Sequence, residues 1–110
     1  MKNVLWVDCC IRGEESRTLR LSRAFLDALP QDCAVTHLDL MQLQPRYFSG
    51  SYLAERQELL EKGDLSHPRF DLARQFAAAD AIVVSAPFWD LSFPALLKVY
   101  IEQVSLDGIT

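Results

Sequence analysis

Two short stretches of this chain carry side chains that could do chemistry together. The first, Ser16-Arg17-Thr18, puts two hydroxyls and a guanidinium just ahead of a run with helical spacing. A helix start leaves backbone N–H groups unpaired and carries the positive end of the helix dipole, so it suits a phosphate. Cys10 ends the strand-like stretch before it, and Arg12 adds charge. The second stretch, Pro87-Phe88-Trp89-Asp90-Leu91, follows directly on the apolar run Ala81–Ser85 and precedes a helix opened by Pro94. A buried parallel strand that ends in aromatics before a helix is how open α/β sheets build ligand crevices. Flat side chains and free loop amides at that point suit a planar ring with polar edges. Each stretch also has a plainer use. Ser16 could simply cap its helix, and Phe88 and Trp89 could be core aromatics. Glu14 and Glu15 oppose a phosphate dianion unless they point to solvent. Gly13 stands alone, so the Gly-rich loops of dinucleotide and triphosphate sites are absent.

The frame that must hold these stretches is readable from periodicity. Val4–Val7, within a strand of about Asn3–Asp8, reads as a first, central strand. After the loop Ile11–Glu15, residues 16–29 place Leu21, Ala24, Phe25, Ala28 and Leu29 on one helical stripe, with Ser16 as N-cap and Pro30 as the stop. Ala34–Leu40 alternates and reads as a second strand. Residues 41–70 are irregular, with a short charged helix over Tyr52–Lys62 whose Glu55, Arg56, Glu58, Glu61 and Lys62 form a wet face. Residues 69–79 put Leu72, Ala73, Phe76 and Ala77 on one face. Ala81–Ser85 is the third strand, and Pro94 to about Ser105 turns Leu96, Leu97, Tyr100, Ile101 and Val104 inward, ending at Asp107-Gly108.

This β-α-β-(insert)-α-β-α order predicts a parallel sheet with right-handed crossovers and the first strand between the other two. The expected fold class is α/β, a doubly wound parallel sheet forming one domain over residues 1–110. Three strands leave one edge of the third uncovered. The chain therefore reads as the first three β-α units of a five-stranded domain, truncated after the third.

At 110 residues and 50% hydrophobic the chain can bury a core, but only a small one. Its net charge is −4, its pI is near 5.0 and its basic residues are scattered. That excludes the basic stripe that nucleic acid or an anionic membrane would select. No apolar run approaches the ~20 residues of a membrane span. The N-terminus has one Lys, then a strand-like run and no small-residue cleavage site, so no signal peptide is expected. Cys9-Cys10 and Cys33 make neither a disulfide framework nor a Cys-x-x-Cys pair, and fit a reducing cytoplasm. His37 and His67 lack partners at metal spacing.

Together the two loops carry a pattern that resembles the flavodoxin-like NAD(P)H:quinone reductases and, above all, the FMN-dependent NADH-azoreductases. The resemblance runs over nearly the whole chain. It rests on Cys9-Cys10 at the first strand end, Ser16-Arg17-Thr18, Ala86-Pro87-Phe88-Trp89-Asp90-Leu91, the helix with Pro94, Leu97-Lys98 and Tyr100-Ile101-Glu102, and the closing Gly108-Ile109-Thr110. Cys10 departs from a family Ser and Asp90 from a family Asn. The resemblance implies a flavodoxin-like fold and an FMN oxidoreductase that works by ping-pong hydride transfer from NADH or NADPH to a quinone or azo compound. It implies FMN phosphate held by Cys10, Ser16, Arg17 and Thr18, and the ring lined by Pro87, Phe88, Trp89, Asp90 and Leu91. It also implies a homodimer and no side-chain general acid.

Two other functions are open from the residues. Low-molecular-weight tyrosine phosphatases have a similar loop, with a Cys, five residues and an Arg gripping phosphate beside a thiolate. Here Cys10 and Arg17 are separated by six residues, with two Glu among them. The chain could also be a flavin-free half-domain that folds with a partner.

Overall fold

A computed structural model describes residues 2–88, 92–106 and 109–110. Three strands, β1 (Lys2–Asp8), β2 (Cys33–Asp39) and β3 (Ala81–Ser85), form one parallel sheet in the order β2-β1-β3. The expected topology is borne out, with β1 central. Its register aligns the strand ends: Asp8 pairs with Asp39 on one side and with Ser85 on the other. Val4 to Asp8 are all buried because only β1 has neighbours on both edges.

Helices cover both faces. On one face Leu5, Val7 and Cys9 pack with Leu40 of α2 (Leu40–Leu43), with Leu72 and Phe76 of α4 (Asp71–Ala78), and with Leu97, Tyr100 and Val104 of α5 (Ala95–Val104). On the other, Trp6, Cys10 and Val83 pack against Leu19 and Leu26 of α1 (Arg17–Asp27). A satellite core joins Leu59 and Leu60 of α3 (Gly50–Glu61) to Phe70, Ala73 and Leu106. Local chemistry sets the boundaries. Ser16 accepts from Leu19 N–H at 3.1 Å and starts α1, as expected, while Asp39 caps α2 and Ser49 caps α3. Asp39 ends β2 one residue early, so Leu40 opens α2 instead of closing the strand. Residues 68–70 form a 3₁₀ turn, and α4 begins only at Asp71.

Several burial expectations need correction. The α1 stripe is the wrong face: Leu21 and Phe25 are 73% and 55% exposed, and Ala24 and Ala28 are exposed too. Two apolar faces compete on this helix. The one with fewer apolar residues, Leu19, Ser22 and Leu26, wins because Ser16 fixes the start of the helix and Ser22 bonds to the sheet. β3 is not a buried strand; it lies at the sheet edge, and Val84 is 51% exposed. Ile101 is half-exposed and Ala77 exposed, although Leu97, Tyr100 and Val104 are buried as expected.

This choice of face has a direct consequence. Leu19→Ala should destabilise the chain by about 2–5 kcal/mol, the range for a buried leucine. Leu21→Ala should stay within about 0.5 kcal/mol, as at ordinary surface positions. Urea unfolding of the two variants checks this, and equal losses would return the core to the Leu21 face.

Candidate functional site

The C-terminal ends of β1 and β3 sit side by side where strand order reverses around β1, the position at which open α/β sheets form a crevice. Cys9 N–H donates to Ser85 C=O at 2.7 Å, and the Cys10 thiol lies 3.8 Å from the same oxygen. The chain then turns through Gly13, whose φ of +58° favours glycine, into the 3₁₀ turn Gly13–Glu15 and Ser16. Ser16 is buried, Thr18 half-buried and Arg17 exposed. The Arg17 and Thr18 amides start α1 with no helical carbonyl behind them. The plain and the functional uses of Ser16 coexist, since its oxygen caps Leu19 while its O–H hydrogen remains able to donate.

The two acids that threatened this helix start are neutralised. Glu14 forms a two-pronged pair with Arg23, at 2.7 and 3.0 Å, which holds its carboxyl below the usual carboxylate range. Glu15 pairs with Arg12 at 3.5 Å.

At the β3 side, Pro87 is half-buried and Phe88 is 64% exposed, edge-on to Phe93 at 5.5 Å between centroids. Phe88 is therefore a surface aromatic. Trp89, Asp90 and Leu91 lie outside the described residues. Of the candidates that are described, Cys10, Ser16 and Thr18 gather behind the end of β1, and Pro87 and Phe88 leave the end of β3 beside it. Among the described residues no group of His, Cys, Asp and Glu could hold a metal ion.

Cys10 is a weak participant. Burial pushes its thiol up to about 11; the Ser16 hydroxyl pulls the other way and Asp8 adds to the rise. It is a neutral, poorly donating thiol at neutral pH.

A polar network that no sequence motif marks lies beneath the site. Asp8 is buried; one carboxylate oxygen accepts from Cys10 N–H at 2.9 Å and the other lies 2.8 Å from His37 Nε2. The His37 ring stacks on Trp6, 3.9 Å between centroids and 13° between planes. Trp6 Nε1 donates to Ser85 Oγ at 2.8 Å. The signal available was register: in parallel strands one face carries Trp6 and His37 as partners. A larger cleft, about 570 Å³, lies elsewhere; Arg46 and Arg69 sandwich the Tyr52 ring in it, at 4.0 and 3.8 Å, and Glu55 and Glu58 share its walls.

A three-layered α/β unit with a helix start and an exposed aromatic at its strand ends is the architecture of a mononucleotide-binding fold. Residues 2–110 match the Flavodoxin_2 family, described as a flavodoxin-like fold, and the chain belongs to that family. The family resemblance read from the loops is thus borne out. Over 115 residues the chain is 36% identical to an FMN-dependent NADH:quinone oxidoreductase of Clostridium perfringens (strain SM101 / Type A), which spans all of this chain and 58% of the relative. An FMN-dependent NADH:quinone oxidoreductase 2 of Clostridium acetobutylicum is 38% identical over 120 residues, again covering all of this chain and 56% of the relative. The crystal structure of azoreductase from Bacillus anthracis str. Sterne superposes with a TM-score of 0.82 at 27% identity, over 99% of this chain and 58% of that one. The chain therefore spans less than three-fifths of the length of these relatives.

The thiol environments can be read out chemically. A group whose pKa rises on folding contributes stability below its unfolded value of about 9, and that contribution is lost as pH climbs toward about 11. Brief iodoacetamide treatment of the folded chain at pH 8 should modify the half-exposed Cys33 and spare the buried Cys9 and Cys10. Peptide mass mapping checks this; rapid labelling of Cys10 would reveal an activated thiolate.

Proposed function

We propose that this chain forms the phosphate end and one ring wall of an FMN site, in an NADH-dependent oxidoreductase acting on quinones or azo compounds. One observation carries the reading: the helix that opens at Ser16–Thr18, through its Ser22, and the loop bearing exposed Phe88 meet at Ser85 at the β1–β3 strand ends. The names of the relatives support the cofactor and the reductant. The donor set fits a phosphate. Arg17 and Thr18 would offer backbone N–H groups, Thr18 and Ser16 hydroxyls, and Arg17 an exposed guanidinium with no ion-pair partner among the described residues. Pairing of Glu14 and Glu15 with Arg23 and Arg12 preserves the positive potential there. Phe88 would pack against the ring, and Trp89, Asp90 and Leu91 would continue that wall. When bound, FMN would supply the redox chemistry, taking a hydride from NADH and passing it to the acceptor in ping-pong order.

The phosphatase reading loses ground on Cys10, whose buried thiol is pushed away from the thiolate that nucleophilic attack needs. The free, unbridged Cys9, Cys10 and Cys33 support a reducing compartment such as the cytoplasm. No helix among the described residues is long and apolar enough to cross a membrane.

Thr18→Ala should weaken FMN binding about fivefold, one net hydrogen bond of about 1 kcal/mol. Fluorescence titration of flavin tests this, with riboflavin as the phosphate-free control. Unchanged FMN affinity in a Ser16→Ala/Thr18→Ala double variant would move the phosphate elsewhere.

We further propose that the chain self-associates through the end of β3 and α5. Val84, Phe88, Phe93 and Ile101 are each half-exposed or more, and β3 is an edge strand of the sheet among the described residues. Apolar area on an open strand edge favours a partner. Light scattering should give a mass of at least twice 12.5 kDa. A 12.5 kDa species stable on dilution would contradict the dimer.

A further inference from the structure

The most deeply buried polar side chain among the described residues is not one of the ligand-holding groups. Ser85 is 1% exposed and is the last residue of β3, one position before the loop that carries Phe88. Its hydroxyl sits between two partners. Trp6 Nε1–H, which can only donate, gives its hydrogen bond to Ser85 Oγ at 2.8 Å. On the other side Ser85 Oγ lies 2.5 Å from Ser22 Oγ. Ser22 Oγ also lies 2.8 Å from the Thr18 carbonyl oxygen, which can only accept.

Each hydroxyl has one hydrogen, so the direction of the chain is fixed. Ser22 spends its hydrogen on Thr18 C=O. Ser85 must then donate to Ser22, and is itself free to accept from Trp6. The relay runs Trp6 N–H to Ser85 O–H to Ser22 O–H to Thr18 C=O, with no donor left over. It binds the first turn of α1 to the last residue of β3. The Ser85 backbone completes the junction, since its carbonyl accepts from Cys9 N–H and meets the Cys10 thiol.

We infer that Ser85, through Ser22, is a positioning residue that fixes the distance between the phosphate-holding helix start and the ring-lining loop. The inference rests on the FMN reading above. The relay touches neither end of the ligand itself. It joins Thr18, at the phosphate end, to the residue before Ala86, at the ring end. An apolar Ala in place of Ser85 would leave the Trp6 N–H and the Ser22 hydroxyl without their shared partner, and would leave the undirected packing of Leu19 and Leu26 to set the spacing of the two segments on this face.

A positioning role has a signature that loss of stability lacks. Each end of the site should survive alone, so ligands that use one end should bind as before. Only a ligand spanning both should lose affinity. FMN and riboflavin share a ring and differ in the phosphate, so their affinity ratio reads the spacing. The full chain and its Ser85→Ala and Ser22→Ala variants should be titrated with both flavins. The FMN-to-riboflavin affinity ratio should fall by about fivefold in each variant, the worth of one hydrogen bond. The double variant should lose no more than the worse single one, because both interrupt one relay. Ser22 is half-buried, so its variant keeps the test open if Ser85→Ala folds poorly. A second readout needs no flavin: in ¹⁵N spectra of the free chain, Ser85→Ala should shift the Trp6 indole N–H together with the backbone amides of Cys10 and Leu19. An unmoved indole signal overturns the relay. Flavin binding with an unchanged FMN-to-riboflavin ratio in the variants overturns the positioning role alone. Failure of the wild-type chain to bind FMN overturns the functional reading and this inference with it.

Discussion

The whole site hangs on the double pairing of β1. It alone has hydrogen-bonded neighbours on both edges, and its register sets Asp8 level with Asp39 and with Ser85. That alignment lets one turn of chain after Asp8 reach the end of β3 and the start of α1 together. A slip of one residue would turn Trp6 and Cys10 to the opposite face and exchange them for Leu5 and Cys9. Both the apolar core and the polar junction would be lost at once. Sheet register is thus the constraint from which core, helix start and ring loop all follow.

The two faces of the sheet bear this load differently. The face of Leu5, Val7 and Cys9 is closed by three helices and is almost wholly apolar. Among the described residues, the face of Trp6 and Cys10 is covered by a single helix and is stitched by hydroxyls, an indole, an imidazole and a carboxylate. Apolar contact there is sparse, so directional bonds specify the geometry. Polar groups buried without partners would cost about 1–3 kcal/mol each. Here Trp6, Ser22, Ser85 and Asp8 all have partners, which gives that face one arrangement. Burial, with Asp8 beside it, keeps Cys10 neutral, and arginines balance Glu14 and Glu15, so the helix start stays electropositive within a chain of net charge −4.

Strand order, the helix cap at Ser16 and the two loops were legible because each rests on local chemistry: a run of β-favouring residues, a hydroxyl before a helical period, aromatics after a strand. The α1 face was not. Leu21, Ala24, Phe25 and Ala28 form the richer stripe, and the tertiary bond between Ser85 and Ser22 goes with Leu19 and Leu26 facing the sheet. Val84 and Ile101 were misplaced for a related reason. Burial of an apolar side chain depends on whether a neighbour exists, and composition does not report an open edge. The Trp6–His37 stack and its Asp8 partner go unread unless the register of β1 against β2 is followed, because that pairing brings His37 to Trp6 and Asp8. Trp89, Asp90 and Leu91 lie outside the described residues and stand as read from the loop.

The central claim is that flavin phosphate sits on the start of α1 while the ring lies by the end of β3. A crystal structure of the chain grown with FMN tests it most directly. The account expects the phosphate within hydrogen-bonding distance of the Arg17 and Thr18 amides, and the isoalloxazine against Phe88. A phosphate held in the cleft between Arg46 and Arg69, or a ring remote from residues 85–88, would contradict it.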